Sequence, residues 1–151
     1  MLYEKLTDDM KNSMKSGDKE TLSTIRLLKS AIDLYKINNK MDRLSAPTDE
    51  VVINVVCSTI KTHKDSIEEF KKAGREDLIE KLEKEIEYLS KYLPEQLTDE
   101  EINKIINEVF EEVKPESMKD MGKIMRELTP KIKGAADMTH VSTLVKNKLN
   151  N

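Results

Sequence analysis

Residues 48–94 read TDEVVINVVCSTIKTHKDSIEEFKKAGREDLIEKLEKEIEYLSKYLP, with the punctuation of a helical hairpin. Thr48 can cap a helix, and Asp49 and Glu50 place carboxylates in its first turn, where the exposed amides favour negative charge. Val52, Val55, Val56, Ile60, Ile67 and Phe70 then recur at helical spacing as far as Gly74. Leu78, Leu82, Ile86, Leu89 and Leu93 carry the same spacing from Gly74 to Pro94. The β-branched run Val51–Val56 also suits a strand, but its continuation at Ile60 and Ile67 favours a helix.

The flanking segments extend the pattern. Upstream, Leu2, Leu6, Met10 and Met14 recur every fourth residue before a turn at Gly17-Asp18. Leu22, Ile25, Leu28, Ile32 and Tyr35 mark a second helix from Lys19 to Ile37 that ends in Asn38-Asn39, followed by a polar loop to Pro47. Downstream, Pro94 disfavours helix at Leu93, and Thr98-Asp99-Glu100-Glu101 is a capping box that begins a new one. Three short helices follow: one with Ile102, Ile105, Ile106, Val109 and Phe110, one with Met118, Met121, Met125 and Leu128, and one with Val141, Leu144, Val145 and Leu149. Gly134 suits the end of the middle helix and Asp137 the cap of the last. The prediction is all-α: an N-terminal helical domain over residues 1–93 with a long helical hairpin, and a small C-terminal three-helix bundle over residues 94–151.

Composition narrows the function. The chain has 151 residues, 36% of them charged, and a net charge of −3, so it is not a polycation that grips nucleic acid by bulk charge. The longest apolar run, Val51 to Cys57, is interrupted by Asn54 and is far shorter than the ~20 residues of a membrane span. Near the start, Glu4, Asp8 and Asp9 sit in a helical pattern where a signal peptide would be basic and then apolar. With a single cysteine, Cys57, these features lead to the expectation of a cytoplasmic protein that makes no membrane contact.

Charge is unevenly distributed in the C-terminal domain. Residues 95–113 hold one basic residue against seven acids, whereas residues 114–151 hold eight basic residues against four acids. Lys119, Lys123 and Arg126 share one side of a helix, Lys131 and Lys133 fall in the turn after it, and Lys146 and Lys148 lie near the end of the chain. Such a patch can track phosphates; it can equally be a solvated face whose cations complement a helix C-terminus. Gly122 interrupts the middle helix, and close helix packing explains it more readily than a backbone passing near a ligand.

No constellation for catalysis is evident. Cys57 and His63 are six residues apart and point to different sides of their helix, so Cys57 reads as a structural thiol. The glycine-rich nucleotide loops and the zinc protease motif are absent, and two histidines and one cysteine do not make a four-ligand zinc site. Adjacent carboxylates such as Glu68-Glu69 and Glu111-Glu112 read as solvated, and the methionines of the middle helix as core filling. No catalytic residue, metal or cofactor is expected.

The chain closely resembles the YqeY-like proteins over essentially its whole length. The resemblance rests on Lys64 to Phe70, Lys72-Ala73-Gly74-Arg75-Glu76-Asp77-Leu78, Glu85-Ile86 and Tyr92-Leu93-Pro94-Glu95-Gln96-Leu97. It continues through Asp120-Met121-Gly122-Lys123-Ile124-Met125 and Lys131 to Asp137, with Asp9-Met10-Lys11 and Thr21 to Arg26 near the start. Arg26, Arg75, Tyr92, Pro94, Gly122, Gly134 and Asp137 stand out among these motif positions. Ala135 and Arg126 depart from the family pattern, which commonly has a basic residue after the last glycine and a small residue at the other position. The resemblance implies an architecture shared with the tail of the tRNA-dependent amidotransferase B subunit, the GatB/YqeY group. That tail is associated with tRNA, and the family label of carbon–nitrogen ligase activity with glutamine as amido donor belongs to a catalytic domain that this chain lacks.

Three functional readings follow. The first is a non-catalytic module that binds tRNA through Lys119, Lys123, Arg126, Lys131, Lys133, Lys146 and Lys148. Aromatic residues make up only 4% of the chain, which disfavours stacking on single strands and points to folded RNA. The second is an adaptor that docks on a tRNA synthetase or amidotransferase through the hairpin from Thr48 to Leu93. The third, a stand-alone amide-transferring enzyme, lacks a nucleophile and a nucleotide cradle.

Overall fold

A computed structural model describes residues 1–151 as seven α-helices without a β-strand, in two compact units, Met1–Leu93 and Pro94–Asn151. In the N-terminal unit, α1 (Leu2–Ser16) and α2 (Lys19–Asn38) form one hairpin, and α3 (Asp49–Ala73) and α4 (Glu76–Leu89) the second. Both turns use a glycine in the left-handed region, Gly17 at φ 74° and Gly74 at φ 69°, which a residue with a β-carbon adopts only under strain. Thr48 caps α3 as its sequence indicates, its side chain accepting from the Val51 amide.

Leu6, Ile25, Leu28, Ile32, Val52, Val56 and Leu89 are the fully buried heart of this unit. On α1 the four-residue spacing proved misleading: Met14 is 56% exposed, and Ser13 takes the buried position. Seven residues return a helix nearly to the same face, so Ser13 follows Leu6 inward, whereas steps of four drift steadily around the axis. The fourth helix is also shorter than its apolar pattern. It stops at Leu89 and tightens into a 3-10 turn over Ser90–Tyr92, because the residue before Pro94 is driven to extended backbone.

Two buried polar groups hold elements together. Tyr92, among the largest fully buried side chains, donates through its hydroxyl to Asp9 Oδ2 at 2.5 Å, tying the end of the second hairpin to α1. Tyr88 meets the Tyr92 hydroxyl at 3.0 Å, with the two rings edge to face. Lys36 on α2 is only 5% exposed, and its ammonium donates to the backbone carbonyls of Arg43 at 2.9 Å and Ser45 at 2.6 Å. The loop after α2 is therefore pinned from beneath by a lysine that follows Ile32 by one helical turn, a core position in the pattern.

The C-terminal unit is a three-helix bundle of α5 (Asp99–Val113), α6 (Met121–Ile132) and α7 (Met138–Leu149), each packed on the other two. Ile102, Ile106, Val109, Ile124, Leu128, Ile132, Val141 and Val145 form its core. Thr98 and Glu101 complete the capping box, and the Asp137 side chain accepts from the Thr139 amide at the start of α7. The α6 helix runs on through Pro130, which has no amide to offer the Arg126 carbonyl one turn earlier. Lys131 consequently lies in the last turn of α6, correcting its expected place in a following turn.

Candidate nucleic-acid interface

The seven cations selected in the sequence are all exposed, but their surroundings divide them. Lys148 reaches across to α5, where its ammonium bonds the Asn107 side-chain oxygen and lies 4.9 Å from the centre of the Phe110 ring. Lys131 also faces α5, 3.8 Å from Glu112, and Lys123 lies 3.7 Å from Asp120. Lys119, Arg126 and Lys146 carry no ion pair. On an α-helix successive residues turn by about 100°, so Lys146 points about 160° away from Lys148, and Arg126 about 140° away from Lys131. Arg126 and Lys146 thus both face away from α5.

That direction matters because α5 is acidic: Asp99, Glu100, Glu101, Glu108, Glu111 and Glu112 are all exposed along it, with Lys104 as its single cation. Carboxylates therefore line α5, while Arg126 and Lys146 are unpaired cations on the far side of α6 and α7, where Glu127 is the one exposed acid. Lys119, in the 3-10 turn Met118–Asp120 that leads into α6, adds a further cation. In that same turn the Glu116 amide bonds Asp120, and together with nearby Lys123 this holds the Asp120 carboxyl below the usual carboxylate range. Asp120 therefore stays charged at neutral pH and offsets Lys123, so Lys123 is a weaker candidate for phosphate than its position on α6 suggests.

Gly122 lies open on the surface at the start of α6, and a β-carbon added there would meet nothing within 4 Å. The expected close packing is absent. Exposure in a helix leaves glycine only its entropic cost, so Gly122→Ala is expected to raise the stability of the C-terminal unit by up to about 1 kcal/mol. Thermal unfolding followed by circular dichroism checks this, and a fall in melting temperature would show that the site requires glycine.

The other motif positions serve mainly local structure. Gly134 is buried at φ 81°, and its carbonyl accepts from the Gln96 side chain at 2.7 Å. The Leu97 amide donates to Ala135 O at 2.8 Å. The segment after Pro94 is thereby stitched to the turn between α6 and α7. Arg75 bonds both carboxylate oxygens of Asp77 at the start of α4, and Arg26 is exposed on α2.

Sequence reasoning missed one internal pair. His63 on α3 and Glu85 on α4 meet at 2.6 Å, both largely buried. They lie eleven residues before and eleven after Gly74, and that mirror relation about the turn was available to find them. His140 instead meets Asp99 at 3.0 Å within the C-terminal unit.

An all-helical protein of two small bundles, the second with a segregated cationic side, is the class these features define. A family described as Yqey-like protein matches residues 3–149, and the chain belongs to the YqeY-like family. Similar curated proteins include one from Pyrenophora tritici-repentis named altered inheritance of mitochondria protein 41, mitochondrial, 36% identical over 85 residues. Proteins of that name from Lachancea thermotolerans and Kluyveromyces lactis are each 39% identical over 85 residues. Each alignment covers 56% of this chain and, in the same order, 45%, 43% and 44% of the relative, so the chain matches less than half of each relative's length. These names overturn the cytoplasmic expectation, since all three relatives are named as mitochondrial proteins. The single cysteine on which it partly rested does not discriminate between the two compartments.

Proposed function

We propose that the C-terminal unit binds folded RNA of the tRNA class by its phosphate backbone, without catalysing a reaction itself. The observation that carries this reading is a set of exposed cations without an ion pair: Arg126 and Lys146, which face away from acidic α5, and Lys119 in the turn that leads into α6. Lys123, Lys131, Lys133 and Lys148 form the margin of the site, partly engaged with the protein's own groups. Carbon–nitrogen ligase chemistry, where the family label applies, would belong to a partner enzyme that acts on the bound RNA.

Binding of tRNA by the purified chain, freed of RNA, tests the proposal. Three phosphate contacts imply an affinity that falls about 20- to 40-fold between 50 and 200 mM salt. The double variant Arg126→Glu with Lys146→Glu is expected to abolish binding, while Lys131→Glu has a smaller effect because Glu112 already occupies Lys131. Binding that ignores both salt and the double reversal would refute the proposal.

A further inference from the structure

Two cations of the C-terminal unit are met by carboxylates, and the two carboxylates differ in how firmly they are held. Asp120, 3.7 Å from Lys123, is fixed in its turn: it accepts the Glu116 amide at 2.9 Å, and its side chain is only 24% exposed. Glu112, 3.8 Å from Lys131, has no hydrogen bond of its own, and its side chain is 60% exposed. Lys131 is its single partner. Lys148 differs from both lysines, since the Asn107 side chain and the Phe110 ring that hold it are neutral and leave its charge whole.

The helix ends explain why Glu112 turns to Lys131. Glu111 and Glu112 are adjacent in the last turn of α5, the negative end of the helix, and that turn holds no basic residue. Lys114 follows as the C-cap but makes no ion pair, so the compensating charge comes from α6. Lys131 lies in the last turn of α6, where the helix end favours a cation with or without Glu112. Glu127, one turn before Lys131, makes no ion pair with it. Removing the Glu112 charge therefore leaves Lys131 in place and unneutralised.

We infer that Glu112 is an internal competitor for the RNA backbone: its carboxylate occupies Lys131 as a phosphate would and withholds that lysine from the site. This rests on the RNA reading above and adds to it the residue that limits affinity. A backbone that reaches Arg126 and Lys146 meets at Lys131 a charge already offset, and beyond it the carboxylates of α5 repel the strand. Glu112 thus keeps the number of phosphate contacts low and the complex readily dissociated.

The test is the tRNA affinity of the full chain at 50 and 200 mM salt for the wild type, Glu112→Gln, Lys131→Gln and the double variant. Glu111→Gln is the control, because it removes the same charge from α5 about 100° around the helix. All three positions are exposed, so none of the substitutions threatens the fold. Glu112→Gln is expected to tighten binding about two- to fivefold at 50 mM salt, the worth of an exposed ion pair. It should also deepen the loss between the two salts by about threefold, the mark of one further phosphate contact. Both effects should vanish in the double variant, and Glu111→Gln should change affinity by less than about twofold. If the wild type binds with the expected salt dependence and Glu112→Gln adds nothing, the competitor role is overturned while RNA binding stands. A gain that persists beside Lys131→Gln, or that Glu111→Gln matches, overturns it as well, being then an effect of net charge. Absence of binding by every variant at 50 mM salt overturns both readings together.

Discussion

Tyr92→Phe is expected to destabilise the N-terminal unit by about 2 kcal/mol, the loss of a hydrogen bond to a charged partner, and Tyr92→Ala by about 3–5 kcal/mol, which adds a cavity. The phenol is buried and bonded to Asp9 and Tyr88, whereas Asp9 is partly exposed and regains water when the hydroxyl goes. For a unit of this size, 2 kcal/mol lowers the melting temperature by about 8–16 °C. All four tyrosines, Tyr3, Tyr35, Tyr88 and Tyr92, lie in the N-terminal unit, so tyrosine emission follows that unit alone. A Tyr92→Phe variant that melts with the wild type would show that the bond to Asp9 contributes nothing.

The same group sets an alkaline limit. Burial first, and then the bond to Asp9, push the Tyr92 phenol far above the usual tyrosine value of about 10. The folded state therefore favours the neutral phenol. Its contribution to stability is complete below about pH 10 and is lost as the pH rises beyond that value, where the unfolded chain gives up the proton and the folded chain resists. Tyr88 is raised by burial as well, so Tyr92→Phe is expected to remove part, and not all, of the loss in stability between about pH 10 and pH 11.5. Identical pH profiles for the two proteins would exclude Tyr92 as its source.

The second large effect is at Lys36. Lys36→Ala is expected to cost about 2–4 kcal/mol, since it removes two hydrogen bonds from a charged donor together with a buried aliphatic stem. Lys36→Met keeps the stem and ends the cost of burying the charge, so it should lose less, about 1–2 kcal/mol. Both variants release the loop from Asn39 to Pro47, and limited trypsin digestion should then cut after Lys40 or Arg43 much faster than in the wild type. Unchanged melting and unchanged cleavage would mean that the two carbonyl contacts do not hold the loop.

How far the sequence could be read depended on the range of the interaction. The hairpin at Gly74, the Thr98 capping box and the Asp137 cap were legible because each depends on residues within one or two turns of each other. The position of α1 was misread at Met14, since a spacing of four mimics a helical stripe only over a short distance. The cationic side of the C-terminal unit was visible as composition, but its division was not: Lys131 and Lys148 are drawn to α5, and Arg126 and Lys146 are left unpaired.

The sequence by itself determined the helices, their turns and the excess of cations after residue 114, because helical period, glycine turns and caps are local chemistry. Only the tertiary structure decided which polar groups are buried and which apolar ones are left out. Lys36 goes inside because backbone carbonyls from the following loop arrive to receive it, and Tyr92 because Asp9, 83 residues earlier, accepts the hydrogen bond of its hydroxyl at the core's edge. Leu27, Leu34 and Ile37 remain outside because α2 spends its other face on the core, and a helix buries only as many faces as it has neighbours.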